Sequence, residues 1–266
     1  MQKILYSEKK KALIFIDENA TPDYWDDQWN TDHLKKEMTG TRTSKYWHEL
    51  AMNYLPEHAV ILEGGCGIGH LVDALNFWGY KAIGIDFAEK TVAMVKSIQP
   101  DMNILYGDVR RLPFGDNTFD GYFSLGVIEH FWEGYGPILN EMKRVIKPGG
   151  YLFLSVPCIS RMDAFFLLLN RYAVYDRDEM PDDFYQYALD IRSVKHTFEN
   201  EGFVHKKFMR RSGLFGISHI HPAVGSWFNY LRSRIPFKKA LSRGLSFFLS
   251  PLTSHSVMFV FQKQVE

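Results

Sequence analysis

Residues 63–70 read Glu-Gly-Gly-Cys-Gly-Ile-Gly-His, an acid followed by glycines at alternating positions, Gly65, Gly67 and Gly69. Two more acids follow at measured intervals: Asp86 closes Ala-Ile-Gly-Ile-Asp, and Asp108 stands in Tyr-Gly-Asp-Val. Glycines let a backbone approach a ligand with no Cβ between them, and carboxylates accept bonds from hydroxyls and amines. Asp86 is placed to take both hydroxyls of a ribose, and Asp108 the exocyclic amine of an adenine, with Val109 offering a backbone N–H. The chemistry that these types and spacings suit is the capture of a nucleoside-like ligand. Any one of the acids could instead cap a helix or hold a turn. Three of them at successive strand ends around one glycine turn point to a site.

Such residues need a parallel sheet to bring them together. Apolar runs that read as strands occur at Val60 to Glu63, Ala82 to Asp86, Asn103 to Tyr106, Phe119 to Ser124, Tyr151 to Val156, Val204 to Met209 and Val257 to Gln262. Helical segments lie near 70–78, 88–97, 135–146 and 191–201, so strands and helices alternate in the pattern of a doubly wound α/β fold. Lys147-Pro148-Gly149-Gly150 ends the third of those helices, since proline cannot continue it and the glycines permit a reversal. The expected fold is a Rossmann-like, seven-stranded, mostly parallel sheet with an antiparallel final hairpin strand and helical lid insertions.

Composition narrows the class. The chain has 266 residues, 46% of them hydrophobic and 15% aromatic, enough for a large core. Its two cysteines, Cys66 and Cys158, are far apart, which excludes a disulfide framework and a zinc site of the usual spacing. Met1 to Lys11 has no secretory apolar region, and no stretch reaches the ~18 apolar residues of a membrane span, so a cytoplasmic protein is expected. The formal net charge of +0 hides an asymmetry: residues 1–201 hold 21 basic and 30 acidic residues, whereas 202–266 hold 10 basic residues and one acid, Glu266. A basic quarter on an acidic body suits an anionic partner, or else interleaves with that body in water.

With these motifs in order, the sequence resembles the class I S-adenosylmethionine-dependent methyltransferases, in particular the small-molecule group related to quinone-biosynthesis enzymes. The resemblance rests on Glu63 to Gly69, on Gly84-Ile85-Asp86, on Gly107-Asp108-Val109 with Leu112-Pro113-Phe114 and Phe119-Asp120, on Ser124 to His130, and on Val145 to Gly150. It covers about residues 58–157 and is nearly silent on substrate. Gly64 departs from the valine or leucine usual there. The resemblance implies S-adenosylmethionine as cofactor, with S-adenosylhomocysteine as product. Glu63 would bond its amino group, and Gly65 and Gly67 would give backbone approach. Asp86 would hold the ribose, Phe87 would pack beside the adenine, and Asp108 and Val109 would read its edge. The backbone of Ser124, Leu125 and Gly126 would face the amino-acid part, and Arg42 could meet the carboxylate. A dinucleotide is disfavoured because the third glycine of that motif is displaced and His70 takes the place of a Gly or Ala.

A sulfonium methyl is already activated, so the protein must chiefly align a nucleophile, exclude water and, where the nucleophile carries a proton, supply one base. His130 is the candidate base; alternatively it packs on the cofactor or caps the next helix. His33, His48 and His196 read as surface residues, and His219-Ile220-His221 lacks the partners of a metal site. The expected organisation is an N-terminal helical lid segment, 1–57, and a methyltransferase domain, 58–266, with insertions at about 158–190 and 212–254 over the substrate side. The first segment is rich in aromatics, including Trp25 and Trp47. Apolar and basic residues interleave over 212–254, which suits peripheral contact with an anionic membrane surface, a helical cover or a homodimer interface. No Asn/Asp-Pro-Pro-Tyr sequence follows the fourth strand, which argues against an amino-methylating DNA enzyme. The acceptor is expected to be a small molecule, lipid-linked or anionic, methylated on a hydroxyl of a glycan, lipid-linked or aromatic metabolite. Carbon methylation of a quinone ring, and a non-catalytic cofactor-binding sensor or scaffold, are the alternatives. Nucleic acid is not favoured, because no RNA-binding module accompanies the basic quarter.

Overall fold

The computed structural model describes residues 3–16, 20–28, 41–211 and 251–265. In chain order its strands are β1 (Lys3–Ser7), β2 (Ala12–Ile16), β3 (Val60–Gly64), β4 (Lys81–Asp86), β5 (Ile104–Tyr106), β6 (Phe119–Leu125), β7 (Ile146–Pro157), β8 (Ala173–Val174), β9 (Phe184–Leu189), β10 (Phe203–Arg211) and β11 (Ser256–Lys263). The helices are α1 (Pro22–Gln28), α2 (Lys45–Tyr54), α3 (His70–Phe77), α4 (Glu89–Ile98), α5 (Gly136–Val145), α6 (Arg161–Leu168) and α7 (Ile191–Asn200), with a 3₁₀ turn at Ile128–His130.

Seven strands form one sheet in the order β10-β11-β7-β6-β3-β4-β5. Pairing is parallel from β7 through β5, while β11 is antiparallel to both β7 and β10. All seven strands expected from the sequence are present in the expected architecture. β3 is central because its apolar residues are buried on both faces: Ile61 packs with Leu71, Val72, Leu75, Val92 and Val95 of α3 and α4, and Leu62 joins the opposite cluster with Ile138, Met142 and Val145 of α5. Ile138, Leu139, Met142 and Val145 recur on one face of α5, as a helix covering a sheet requires. That helix ends at Val145, and the strand pairing jumps from Phe119↔Ile146 to Gly121↔Tyr151, so Lys147 to Gly150 loops out inside β7. The chain runs from β3 to β4 and β5 on one side and to β6 and β7 on the other. The carboxyl end of β3 therefore lies at the topological switch, where open α/β sheets hold ligands.

The N-terminal expectation needs correcting. Helices α1 and α2 are present, but residues 3–16 form a β-hairpin with Lys3↔Ile16 and Ser7↔Ala12 in register. That hairpin builds a second sheet, β8-β1-β2-β9, with strands from the segment after β7. Ala12, Leu13, Ile14 and Phe15 are buried in it. Its partner β9 lies some 170 residues away, so no local pattern announces the pairing. Residues 158–190 thus contribute α6, β8 and β9 rather than a simple cover. The insertion expected at 212–254 lies outside the described residues except for its last four. No helix among the described residues is long and apolar enough to cross a membrane.

Gly64 has a structural reason. A Cβ there would sit 2.1 Å from the Tyr122 hydroxyl and 2.8 Å from the ring carbon bearing it, so the neighbouring strand fills the space that a larger residue would take. Gly64→Ala should therefore destabilise the protein by about 1–3 kcal/mol through overpacking, and Tyr122→Leu in the same chain should recover part of the loss. Denaturant unfolding of the two variants checks this; a Gly64→Ala protein as stable as the parent would refute the packing account.

Candidate functional site

The turn after β3 is built by three successive amides that find acceptors on the end of β4. Gly65 N and Cys66 N donate to the Ile85 carbonyl at 2.8 and 3.1 Å, and Gly67 N donates to Asp86 Oδ2 at 2.7 Å. Gly65 adopts φ +72°, and a Cβ on it would lie 2.4 Å from Val127 Cγ2, so both conformation and space require glycine. Asp86 Oδ1 also accepts from Ala88 N at 2.9 Å. The ribose carboxylate expected from the sequence is thus also the brace of the glycine turn.

This turn forms one wall of a cavity of about 370 Å³. Glu63, Gly65, Gly67, Asp86, Phe87 and the pair Asp108–Val109 line it, as do Leu125, Gly126 and His130. Glu63 is buried, and its Oε2 has no hydrogen-bond partner. Burial, and then the charge of Asp86, push its carboxyl up to about 8, against a bond from the Val72 amide. Burial raises Asp86 as well, opposed by the amides of Ala88, Gly67 and Phe87. An uncompensated buried acid is costly unless a cation or donor joins it. Glu63 therefore fits the ammonium group of an amino-acid ligand.

Two expected residues are placed otherwise. Arg42 does not line the cavity: its Nε and Nη2 reach Asp73 Oδ2 and Oδ1 at 2.6 and 2.7 Å, and its guanidinium lies 5.1 Å from the Phe77 ring centre. The buried carboxylate on α3 takes it in a bidentate pair. Ser124 is buried and does not line the cavity, and it is paired with Gly64 across the strands. Asp108 lines the cavity, but Arg110 grips its carboxylate through Nε at 3.0 Å and Nη2 at 2.6 Å. Burial would raise Asp108, yet the bonds from Arg110 outweigh it and the carboxyl sits below its usual value.

His130 ends the 3₁₀ turn after β6, partly exposed to the cavity. Its Nδ1 donates to the Tyr185 carbonyl at 2.7 Å, a bond assigned from geometry because the carbonyl can only accept. That leaves the Nε2 lone pair as the basic site. Burial lowers its pKa to about 4, against the effect of the Tyr185 carbonyl, so the ring is neutral at pH 7. Trp25 meets it edge-on at 5.0 Å and Tyr185 at 5.2 Å. Trp25 is held over the cavity by its helix, since Asp26 Oδ1 accepts from the amide and hydroxyl of Thr91 at 2.7 and 2.8 Å.

Sequence reasoning treated Trp25 and Trp47 only as members of an aromatic-rich segment, and passed over Ala20, Cys66, Val127 and Phe131, which also line the cavity. It also passed over Glu129, whose buried Oε2 has no hydrogen-bond partner and whose carboxyl burial raises to about 8. Among the weaker histidine candidates, His48 stacks near Trp78 and His196 meets Asn200, while His33, His219 and His221 lie outside the described residues. Among the described residues no group of three or more His, Cys, Asp or Glu is arranged to hold a metal.

The doubly wound sheet, its glycine turn and its acids form a cavity whose lining suits an adenosyl amino acid. Residues 62–154 match the family described as a methyltransferase domain. A "probable S-adenosylmethionine-dependent methyltransferase" of Mycolicibacterium smegmatis is 33% identical over 132 residues, which is 45% of this chain and 51% of that protein. The demethylmenaquinone methyltransferase of Bacillus licheniformis is 31% identical over 147 residues, 52% of this chain and 61% of that protein. The chain thus spans about half to three fifths of these relatives. The crystal structure of an S-adenosylmethionine-dependent methyltransferase from Mesorhizobium loti shares the fold, with a TM-score of 0.55 and 15% identity over 84% of this chain and 100% of that one. Over residues 62–154 the chain is thus similar to the methyltransferase domain family, and its sequence relatives include S-adenosylmethionine-dependent methyltransferases.

The raised carboxyl of Glu63 fixes a pH dependence. Below the ordinary value of 4.5 the acid is protonated in folded and unfolded chains alike and costs nothing; above it the unfolded chain ionises while the folded one keeps its proton, so stability falls as pH rises towards about 8. Glu63→Gln should flatten that fall and stabilise the ligand-free protein above this range by on the order of 1–3 kcal/mol, while weakening S-adenosylhomocysteine binding more than about tenfold. Thermal unfolding across pH, with titration of the product, reads both; a variant with the parent's slope would contradict the assignment. Asp86→Ala should lower the same affinity by at least about tenfold, since it removes the brace of the turn together with the carboxylate expected to meet the ribose.

Proposed function

We propose that the protein transfers the methyl group of S-adenosylmethionine to a hydroxyl of a small-molecule acceptor. The observation that carries this reading is the pairing, in one cavity, of a buried Glu63 whose Oε2 has no hydrogen-bond partner with a neutral His130. Glu63, Asp86 and the glycine turn would hold the donor by its ammonium, ribose and backbone-facing portions. The donor supplies an electrophilic methyl on a positive sulfur. Around it the chain's own residues align the acceptor, exclude water through Trp25, Trp47 and Phe131, and take up the acceptor's proton at His130 Nε2. Low basicity is suited to this order of events: His130 stays uncharged while a cation occupies the cavity and becomes a proton acceptor as that charge disappears. The lining is concave and largely aromatic on the acceptor side, which fits a small or amphipathic molecule rather than a duplex.

A second reading, carbon methylation of a quinone ring, draws support from the same aromatic walls, which would stack on a flat ring, and from the likeness to the B. licheniformis demethylmenaquinone methyltransferase. The two differ in the bond formed, and nuclear magnetic resonance of the product separates a methoxy from a ring methyl. Donor binding without turnover on any acceptor would instead leave a cofactor-binding scaffold.

His130→Ala should reduce turnover by about 10²–10⁴-fold while changing S-adenosylhomocysteine affinity by no more than about twofold, the pattern of a proton acceptor that does not hold the donor. Parallel measurement of kcat and product affinity decides the matter. Equal losses in both would make His130 a packing residue of the donor site.

A further inference from the structure

Away from the donor cavity, and sharing no residue with it, a cleft of about 580 Å³ opens between the first turns of α6 and α7 and the outer strand β10. Its floor is apolar, with Ile191, Phe208 and Phe259, and its walls carry Arg161, Arg192, Lys195 and Arg210. The single carboxylate among the lining residues, Asp190, already accepts from the Ser193 amide at 2.7 Å as the cap of α7. Arg161 and Arg192 make no ion pair with any described residue, and Lys195 reaches Glu199 only at 3.7 Å. His205 Nε2 is buried at the same cleft without a hydrogen-bond partner. Cations gathered with so little compensation repel one another until an anion joins them.

The helix beside this cleft turns an apolar side outward. α6 buries none of its residues; Leu168 is 82% exposed, Phe165 53% and the following Leu169 52%. Its inner side packs Leu167 against Leu13, Phe15 and Ala188 of the second sheet, and polar bonds fix its start: Ser160 and Asp163 form a reciprocal cap, and the Tyr172 hydroxyl donates to Asp163 Oδ1 at 2.8 Å. A short apolar helix with Phe165, Leu168 and Leu169 turned outward, set beside Arg161 and Arg192, which have no carboxylate partner among the described residues, has the character of an element that enters the boundary between lipid headgroups and acyl chains. Arg211 of β10 pairs with Ser256 of β11.

We propose that this face docks the protein on an anionic membrane surface, with Phe165, Leu168 and Leu169 entering the interface while Arg161, Arg192, Lys195 and Arg210 engage lipid phosphates. A nucleic acid would use the cations but leave the apolar helix in water, so the lipid surface is the occupant that satisfies both. The inference stands apart from the methyl-transfer reading.

Flotation of the full chain with vesicles of phosphatidylcholine, alone or mixed with phosphatidylglycerol, tests it. The parent protein should bind only the mixed vesicles, less so at high salt. Arg161→Glu with Arg192→Glu, and separately Phe165→Ser with Leu168→Ser, should each weaken binding by about tenfold or more. Unchanged S-adenosylhomocysteine affinity would show that both variants are folded. The proposal is overturned if the parent ignores mixed vesicles at low salt, or if both variants bind as the parent does. It is equally overturned if inorganic phosphate stabilises the parent with no vesicle binding, which would make the cleft a free-anion site. Loss of thermal stability in the apolar variant without vesicle binding would mean that the chain itself covers α6.

Discussion

Three neighbouring amides, Gly65, Cys66 and Gly67, must all be satisfied at the point where β3 ends, and the end of β4 satisfies them with one carbonyl and one carboxylate. The rest of the donor site depends on that arrangement. It reverses the chain tightly enough to start α3, it orients Asp86 against the turn, and it leaves Glu63 buried near the end of the central strand. Buried amides without acceptors would be as costly as buried acids without donors, so turn and acid stabilise each other. The cost that remains is the carboxyl of Glu63, kept protonated by burial until a cationic ligand joins it.

The acceptor side has a different origin. His130 takes its tautomer from the carbonyl of Tyr185 on β9, and β9 is ordered by pairing with β2 near the N-terminus. Lys10, in the turn of that N-terminal hairpin, donates to the Trp132 carbonyl two residues beyond His130. Helix α1 brings Trp25 onto the same histidine and is fastened to α4 through Asp26. The donor half is thus built from successive strand ends between residues 63 and 126, while the acceptor half is assembled from segments far apart in the chain. Change in the second can alter the acceptor without disturbing the first, as expected where many chemistries share one fold.

That difference decides what the sequence discloses. Val60 to Leu62 reads as a strand because burial on both faces demands a continuous apolar run, and Glu63, Gly65, Gly67 and Asp86 read as a site because local turn chemistry places them. Asp108 was legible as a strand-end acid, but its capture by Arg110 two residues on was not, since side-chain choice between ligand and neighbour leaves no spacing signal. Arg42 misleads for a similar reason: nothing in the sequence says that Asp73, 31 residues on, lies nearer than a cofactor carboxylate. The hairpin at residues 3–16 stayed hidden because its alternation is short, its turn is a run of charges, and its stabilising partner is β9. Trp25, Trp47 and Phe131 belong to a cavity only once those distant pairings exist.

The central claim is that the glycine turn with Glu63 and Asp86 forms a working site for an adenosyl amino acid. Calorimetric titration of the purified protein with S-adenosylmethionine and S-adenosylhomocysteine, with NADH as control, tests it most directly. Saturable binding of the first two near micromolar affinity, about −8 kcal/mol, and none of the third is the predicted result. Binding of NADH, or of none of the three, would contradict it.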